Sequence, residues 1–113
     1  NQNEVYFGSI DYPGAIAVTI VWGIFGGPPQ GRELVEWDQI YDQIDYDWSD
    51  SGQAGKMDFE NIATHELGHT MGMDDLYTLT CSVATMYGYA SEGETIKRDL
   101  ASGDINGIKE LYK

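Results

Sequence analysis

His65-Glu66-Leu67-Gly68-His69-Thr70-Met71-Gly72-Met73-Asp74-Asp75 decides the fold, and it holds both histidines of this 113-residue chain. Two histidines four residues apart stack on one face of a helix, so His65 and His69 can grip a single metal ion. Glu66 directly after the first histidine completes an H-E-x-x-H arrangement, in which the glutamate stands beside the ion and handles protons. The flanks agree with a helix. Asp58 is a good N-cap, Phe59, Ile62, Ala63 and Leu67 mark an apolar stripe to about Met71, and Gly72 is suited to the stop. Zinc is the expected metal, because it takes imidazole nitrogen and carboxylate oxygen and keeps one position open in catalytic sites. A third protein ligand is then needed. Asp75 falls at the last position of the longer pattern H-E-x-x-H-x-x-G-x-x-[HD]. Asp74 is a rival one residue early. Glu92 and Glu94 are further rivals, although Gly93 between them weighs against a second ligand-bearing helix there.

Working outward, Val5-Tyr6-Phe7 and Ile16 to Trp22 read as strands, with Gly26 to Gly31 as a loop. In Leu34 to Tyr41, Val35, Trp37 and Tyr41 alternate with Glu36, Asp38 and Asp42, which predicts an edge strand with one solvated face. Such an edge could bind an extended peptide by backbone pairing. Asp47 to Gly55 is polar and loop-like, Asp74 to Glu94 is mostly loop, and Ser102 to Tyr112 reads as a second helix. Met86 lies in a tight segment, Ala84-Thr85-Met86-Tyr87-Gly88-Tyr89.

The zinc stretch followed by S-V-A-T-M-Y-G resembles the metzincin metallopeptidases, with Met86 at the place of their Met-turn methionine. Among them the chain is most similar to the matrixins. R-E-L-V-E-W-D resembles the matrixin strand ending H-F-D, and L-A-S-G-D-I-N-G-I-K-E-L-Y resembles the last matrixin helix. The third matrixin ligand is histidine; Asp75 at that position resembles the snapalysins instead. Glu36 replaces the histidine of H-F-D, so a second, structural zinc is not expected. The resemblance runs from about Arg32 to the end and implies an α+β zincin catalytic domain with a small mixed sheet, an active-site helix and a C-terminal helix; the length allows one domain, residues 1–113. It implies one catalytic zinc on His65, His69 and Asp75, Glu66 as general base, and Met86 as the floor beneath the metal. Trp37, Tyr87 and Tyr89 are the candidate substrate-binding residues, either tyrosine lining the pocket for the side chain after the scissile bond. The expected function is hydrolysis of peptide bonds in peptides or proteins, in a secreted setting. The alternative is a non-catalytic metal- or calcium-binding module; an intact Glu66 favours the enzyme.

The net charge of −13 argues against nucleic acid and anionic membrane surfaces as partners. No apolar run reaches the length of a membrane span. The acids concentrated between Glu33 and Glu60 admit two readings, solubility and Ca2+ binding. Before Asp58 no helical period of ten or more residues appears. The long helix that usually backs a metzincin sheet is therefore absent, and a preceding segment or a second chain is expected to cover the sheet. Cys81 is unpaired by count, which fits either a missing mate or a small buried thiol.

Overall fold

A computed structural model describes residues 2–113. Its elements in chain order are β1 (Glu4–Gly8), β2 (Ala17–Ile24), β3 (Glu33–Asp42), β4 (Trp48–Ser49), β5 (Met57–Asp58), α1 (Phe59–Thr70) and α2 (Ser102–Leu111). The result is an α+β domain with a small mixed sheet and two helices, as the zinc stretch and its flanks led us to expect. Among the described residues no α-helix precedes Phe59, and no helix is long and apolar enough to cross a membrane.

The three-stranded sheet has the order β1-β3-β2. β1 runs parallel to β3, with Phe7 opposite Tyr41, and β2 runs antiparallel to it, with Thr19 opposite Gln39. This corrects the expectation for Leu34 to Tyr41. The segment is the central strand: β2 pairs along it and β1 pairs with it from Asp38 onward, so it is not the edge of the sheet. A second correction is small: within the polar stretch 47–55, Trp48 and Ser49 pair with Met57 and Asp58.

One sheet face packs on α1. Phe7, Tyr41, Trp48 and Phe59 meet there, with ring centroids 4.9 Å apart for Tyr41 and Phe59 and 5.6 Å for Phe7 and Tyr41. Aromatic rings at such spacings supply large apolar contacts and favourable tilted geometries. Successive strand residues point to opposite faces, so Tyr6, Ile20 and Trp22 look the other way and stay exposed. The site thus sits on a sheet covered from one side by α1.

Candidate metal centre

α1 begins where the sequence predicts. The Asp58 carboxylate accepts from the backbone N–H of Asn61 at 3.0 Å, capping the first turn. From there the helical repeat brings His65 and His69 onto one face, with ring Nε2 atoms 3.1 Å apart and ring planes nearly perpendicular at 88°. Each Nδ1 is held by a backbone carbonyl: His65 by Thr85 O and His69 by Met73 O, both at 2.7 Å. A carbonyl can only accept. Each neutral ring therefore carries its proton on Nδ1 and turns a bare Nε2 lone pair toward its neighbour, a tautomer that follows from the partners.

The helix ends at Gly72, whose φ of 96° is the left-handed region that a side chain disfavours. The reversal returns the chain to the histidines. Asp75 Oδ1 lies 2.9 Å from His65 Nε2 and 3.3 Å from His69 Nε2. Leu76 then bonds the segment around Met86, through Leu76 N to Met86 O at 2.8 Å and Gly88 N to Leu76 O at 2.7 Å. Met86 is buried against α1 at Gly68, where an added Cβ would collide with its sulfur.

Three acceptors thus converge at 2.9–3.3 Å, with no hydrogen between them while both rings are neutral. Burial lowers the pKa of His65, opposed by its bond to Thr85, and so favours the neutral ring. One proton could bridge only one of the three contacts, whereas a cation at the centre satisfies all three. The spacing also fits: tetrahedral zinc with bonds of about 2.0–2.1 Å sets its ligands about 3.3 Å apart. The residues present therefore fit zinc.

Two carboxylates compete for the third position. His65, Glu66 and His69 hold donor atoms within 4.8 Å of one another. Glu66 Oε2 nevertheless stands 4.0 and 3.8 Å from the two Nε2 atoms, farther than Asp75. Glu66 is 3% exposed, and burial pushes its carboxyl up to about 7, with His69 pulling the other way. The other rivals lie elsewhere. Asp74 forms no ion pair with either histidine among the described residues, and Glu94 is bonded to Asn61 and Lys97. Tyr87 and Tyr89 line the open cleft over the histidines; Trp37 does not, although Glu33 and Leu34 of the same strand do.

Three buried polar residues near the site escaped the sequence. Asp104 of α2 accepts from Thr85 N at 2.8 Å and Met86 N at 3.1 Å, pinning the turn that carries both. Asn61 and Lys97 join α1 to the segment after Met86, with Lys97 N donating to Asn61 Oδ1 at 2.7 Å. Only Asp104 had any signal, as part of the matrixin-like last helix.

The sequence pattern of the matrixin family matches residues 30–113. The chain belongs to the matrixins. It is also 37% identical over 65 residues to human matrilysin, which covers 58% of this chain and 23% of matrilysin. The chain thus spans about a quarter of the length of that relative. As a matrixin it is a zinc metallopeptidase-type domain; His65 and His69 lie inside the matched region, while the cleft they line also takes in residues before it, among them Ala17, Val18 and Thr19.

A second acidic place in this matrixin lies at the end of β3. Asp42 is fully buried; its Oδ1 accepts from Ile44 N and Asp45 N at 2.8 and 2.9 Å, while its Oδ2 has no hydrogen-bond partner. The amides of Asp45 and Ile44 hold the Asp42 carboxyl below the usual range, and the negative charge of Asp42 pushes Asp45 up.

Proposed function

We propose that this chain is a zinc-dependent endopeptidase, with His65, His69 and Asp75 as metal ligands and Glu66 as general base. The observation that carries this is the meeting of three proton-free acceptors beside a buried glutamate one step farther out. Zinc, when bound, supplies a Lewis acid that polarises the scissile carbonyl and acidifies water. Glu66, with its carboxyl raised by burial, takes a proton from the attacking water and delivers it to the leaving amide nitrogen. A carboxylate third ligand, as in snapalysins, makes the site one charge more negative than three imidazoles, which tempers the acidification. Met86 forms the floor as a Met-turn residue, packed at Gly68 and held through Asp104. A metal-binding module without hydrolysis would leave Glu66 with no task.

The substrate is a peptide or protein in extended form, paired with β2. That strand has one side bonded to β3, and Ala17, Val18, Thr19 and Val21 line the cleft. Tyr87 and Tyr89 flank the pocket for the side chain after the scissile bond. A secreted setting accompanies this reading. Calcium is the proposed second cation, at Asp42 and Asp45, because an unpartnered buried carboxylate oxygen facing another carboxylate suits a hard cation. The exposed sheet face with Tyr6, Ile20 and Trp22 is proposed to take cover from a further segment or a second chain.

Cleavage of an unfolded protein by the zinc-loaded chain, abolished by a chelator and restored by zinc, tests the reading. A chain that binds zinc and cleaves nothing would contradict it.

A further inference from the structure

The sheet face that packs on α1 is not uniformly apolar. Ala17, Thr19 and Val21 belong to it from β2, and Trp37, Gln39 and Tyr41 from β3, with Thr19 directly opposite Gln39 in the register. Gln39 is 2% exposed; its Oε1 accepts from the Tyr41 hydroxyl at 2.7 Å, and its Nε2 has no hydrogen-bond partner among the described residues. Polar groups on the covered side of a sheet cost stability, and valine or isoleucine would serve packing better at either place. The pair lies where α1 sets Glu66 on the sheet. The Thr19 hydroxyl stands 3.3 Å from the backbone O of Glu66, and both residues line the same cleft.

That carbonyl has little need of the hydroxyl. Glu66 lies inside α1, where the helical pattern assigns its O to the N–H of Thr70. A separation of 3.3 Å is also long for an O–H donor. A hydroxyl has one proton, and an ionised carboxylate is the stronger acceptor. Burial pushes the Glu66 carboxyl up; His69, and then a hydrogen bond from the Thr19 side chain, pull it back. A general base works only while its carboxylate is held where the proton is to be taken. The bare Nε2 atoms of His65 and His69, 4.0 and 3.8 Å from Glu66 Oε2, are acceptors and cannot hold it. Thr19 brings the donor that the histidines lack.

We propose that Thr19 is a positioning residue for the general base: its hydroxyl donates to the Glu66 carboxylate and fixes its orientation toward the metal site. This rests on the peptidase reading. Thr19 precedes the stretch, 30–113, that matches the matrixin pattern, so that pattern does not assign it.

The test uses the zinc-loaded chain and one peptide substrate. Thr19→Val keeps the shape and removes the donor. It should lower kcat about tenfold, the scale of one hydrogen bond to a charged acceptor, and leave KM nearly unchanged. Thr19→Ser, which keeps a hydroxyl, should recover most of that loss. In a Glu66→Gln background the valine substitution should cost no further kcat, since the group it positions is gone. Infrared difference spectra of the zinc-loaded chains, at alkaline pH where the carboxyl is ionised, give a reading without turnover. The carboxylate bands that Glu66→Gln removes should shift in Thr19→Val and keep their place in Thr19→Ser. A hydroxyl that only staples β2 to α1 predicts lower stability against urea, an equal loss in both backgrounds and unshifted bands. Wild-type kcat in Thr19→Val, an equal loss on Glu66→Gln, or unmoved bands would overturn the proposal. If the wild-type chain cleaves nothing, the peptidase reading falls, and the infrared bands still decide whether Thr19 holds Glu66.

Discussion

α1 carries two polar clusters, and they differ in whether the chain satisfies them. At its start, Asp58 caps the helix and pairs with Arg98, while Asn61 bonds both Glu94 and the Lys97 backbone. Donors there face acceptors. One turn later, His65 and His69 turn bare nitrogens toward each other and toward Asp75, so acceptors meet acceptors. A buried polar cluster that serves the fold closes its own hydrogen bonds. One that leaves lone pairs facing each other is built for a cation that the chain does not itself supply. The same signature, in smaller form, marks Asp42 Oδ2.

Mutation and metal can separate the two clusters. The largest effect should come from Glu66→Gln, which lowers kcat by about 10²–10⁴-fold, about 3–5 kcal/mol, while zinc still binds. Activity assays with metal analysis read both quantities, and near-normal turnover would remove Glu66 from the chemistry. Next, saturating zinc should stabilise the chain against urea by about 4 kcal/mol at a thousandfold excess over Kd. In His65→Ala that gain should vanish although the first cluster is untouched; a zinc response that survives would place the metal elsewhere.

Asp58→Ala breaks the satisfied cluster and should cost about 3 kcal/mol of stability without changing zinc affinity. Arg98 lowers the folded-state pKa of Asp58 below its unfolded value. Its contribution is therefore present above the ordinary carboxylate pKa and fades as pH falls through the depressed one. Unfolding curves from neutral to acid pH should show that loss in the wild type and a shallower one in the variant. The smallest effect compares neighbours: Asp75→Ala should weaken zinc by at least about tenfold more than Asp74→Ala. Equal titrations would leave the third ligand unassigned.

The difference between the clusters also explains what the sequence made legible. His65, Glu66 and His69 lie within one helical turn, so local spacing alone places them together. Asp75 is reached through a single glycine reversal, which a short pattern still encodes. Lys97 and Asn61 meet across 36 positions, and Asp104 and Thr85 across 19, so no local periodicity announces them. The place of β3 in the sheet is illegible for a related reason. Alternation reports which faces are polar, not how many neighbours a strand has. Glu36 and Asp38 look solvated because the sheet face they share with Tyr6 and Ile20 is open, while β2 pairs along the strand and β1 pairs with it from Asp38 onward.

The most direct test is a crystal structure of the zinc-soaked chain with anomalous data collected at the zinc edge. One peak should appear between His65 Nε2, His69 Nε2 and an Asp75 oxygen, with Glu66 outside the coordination sphere. A peak bound by Asp74, Glu92 or Glu66 in place of Asp75, or no peak between the histidines, would contradict the account.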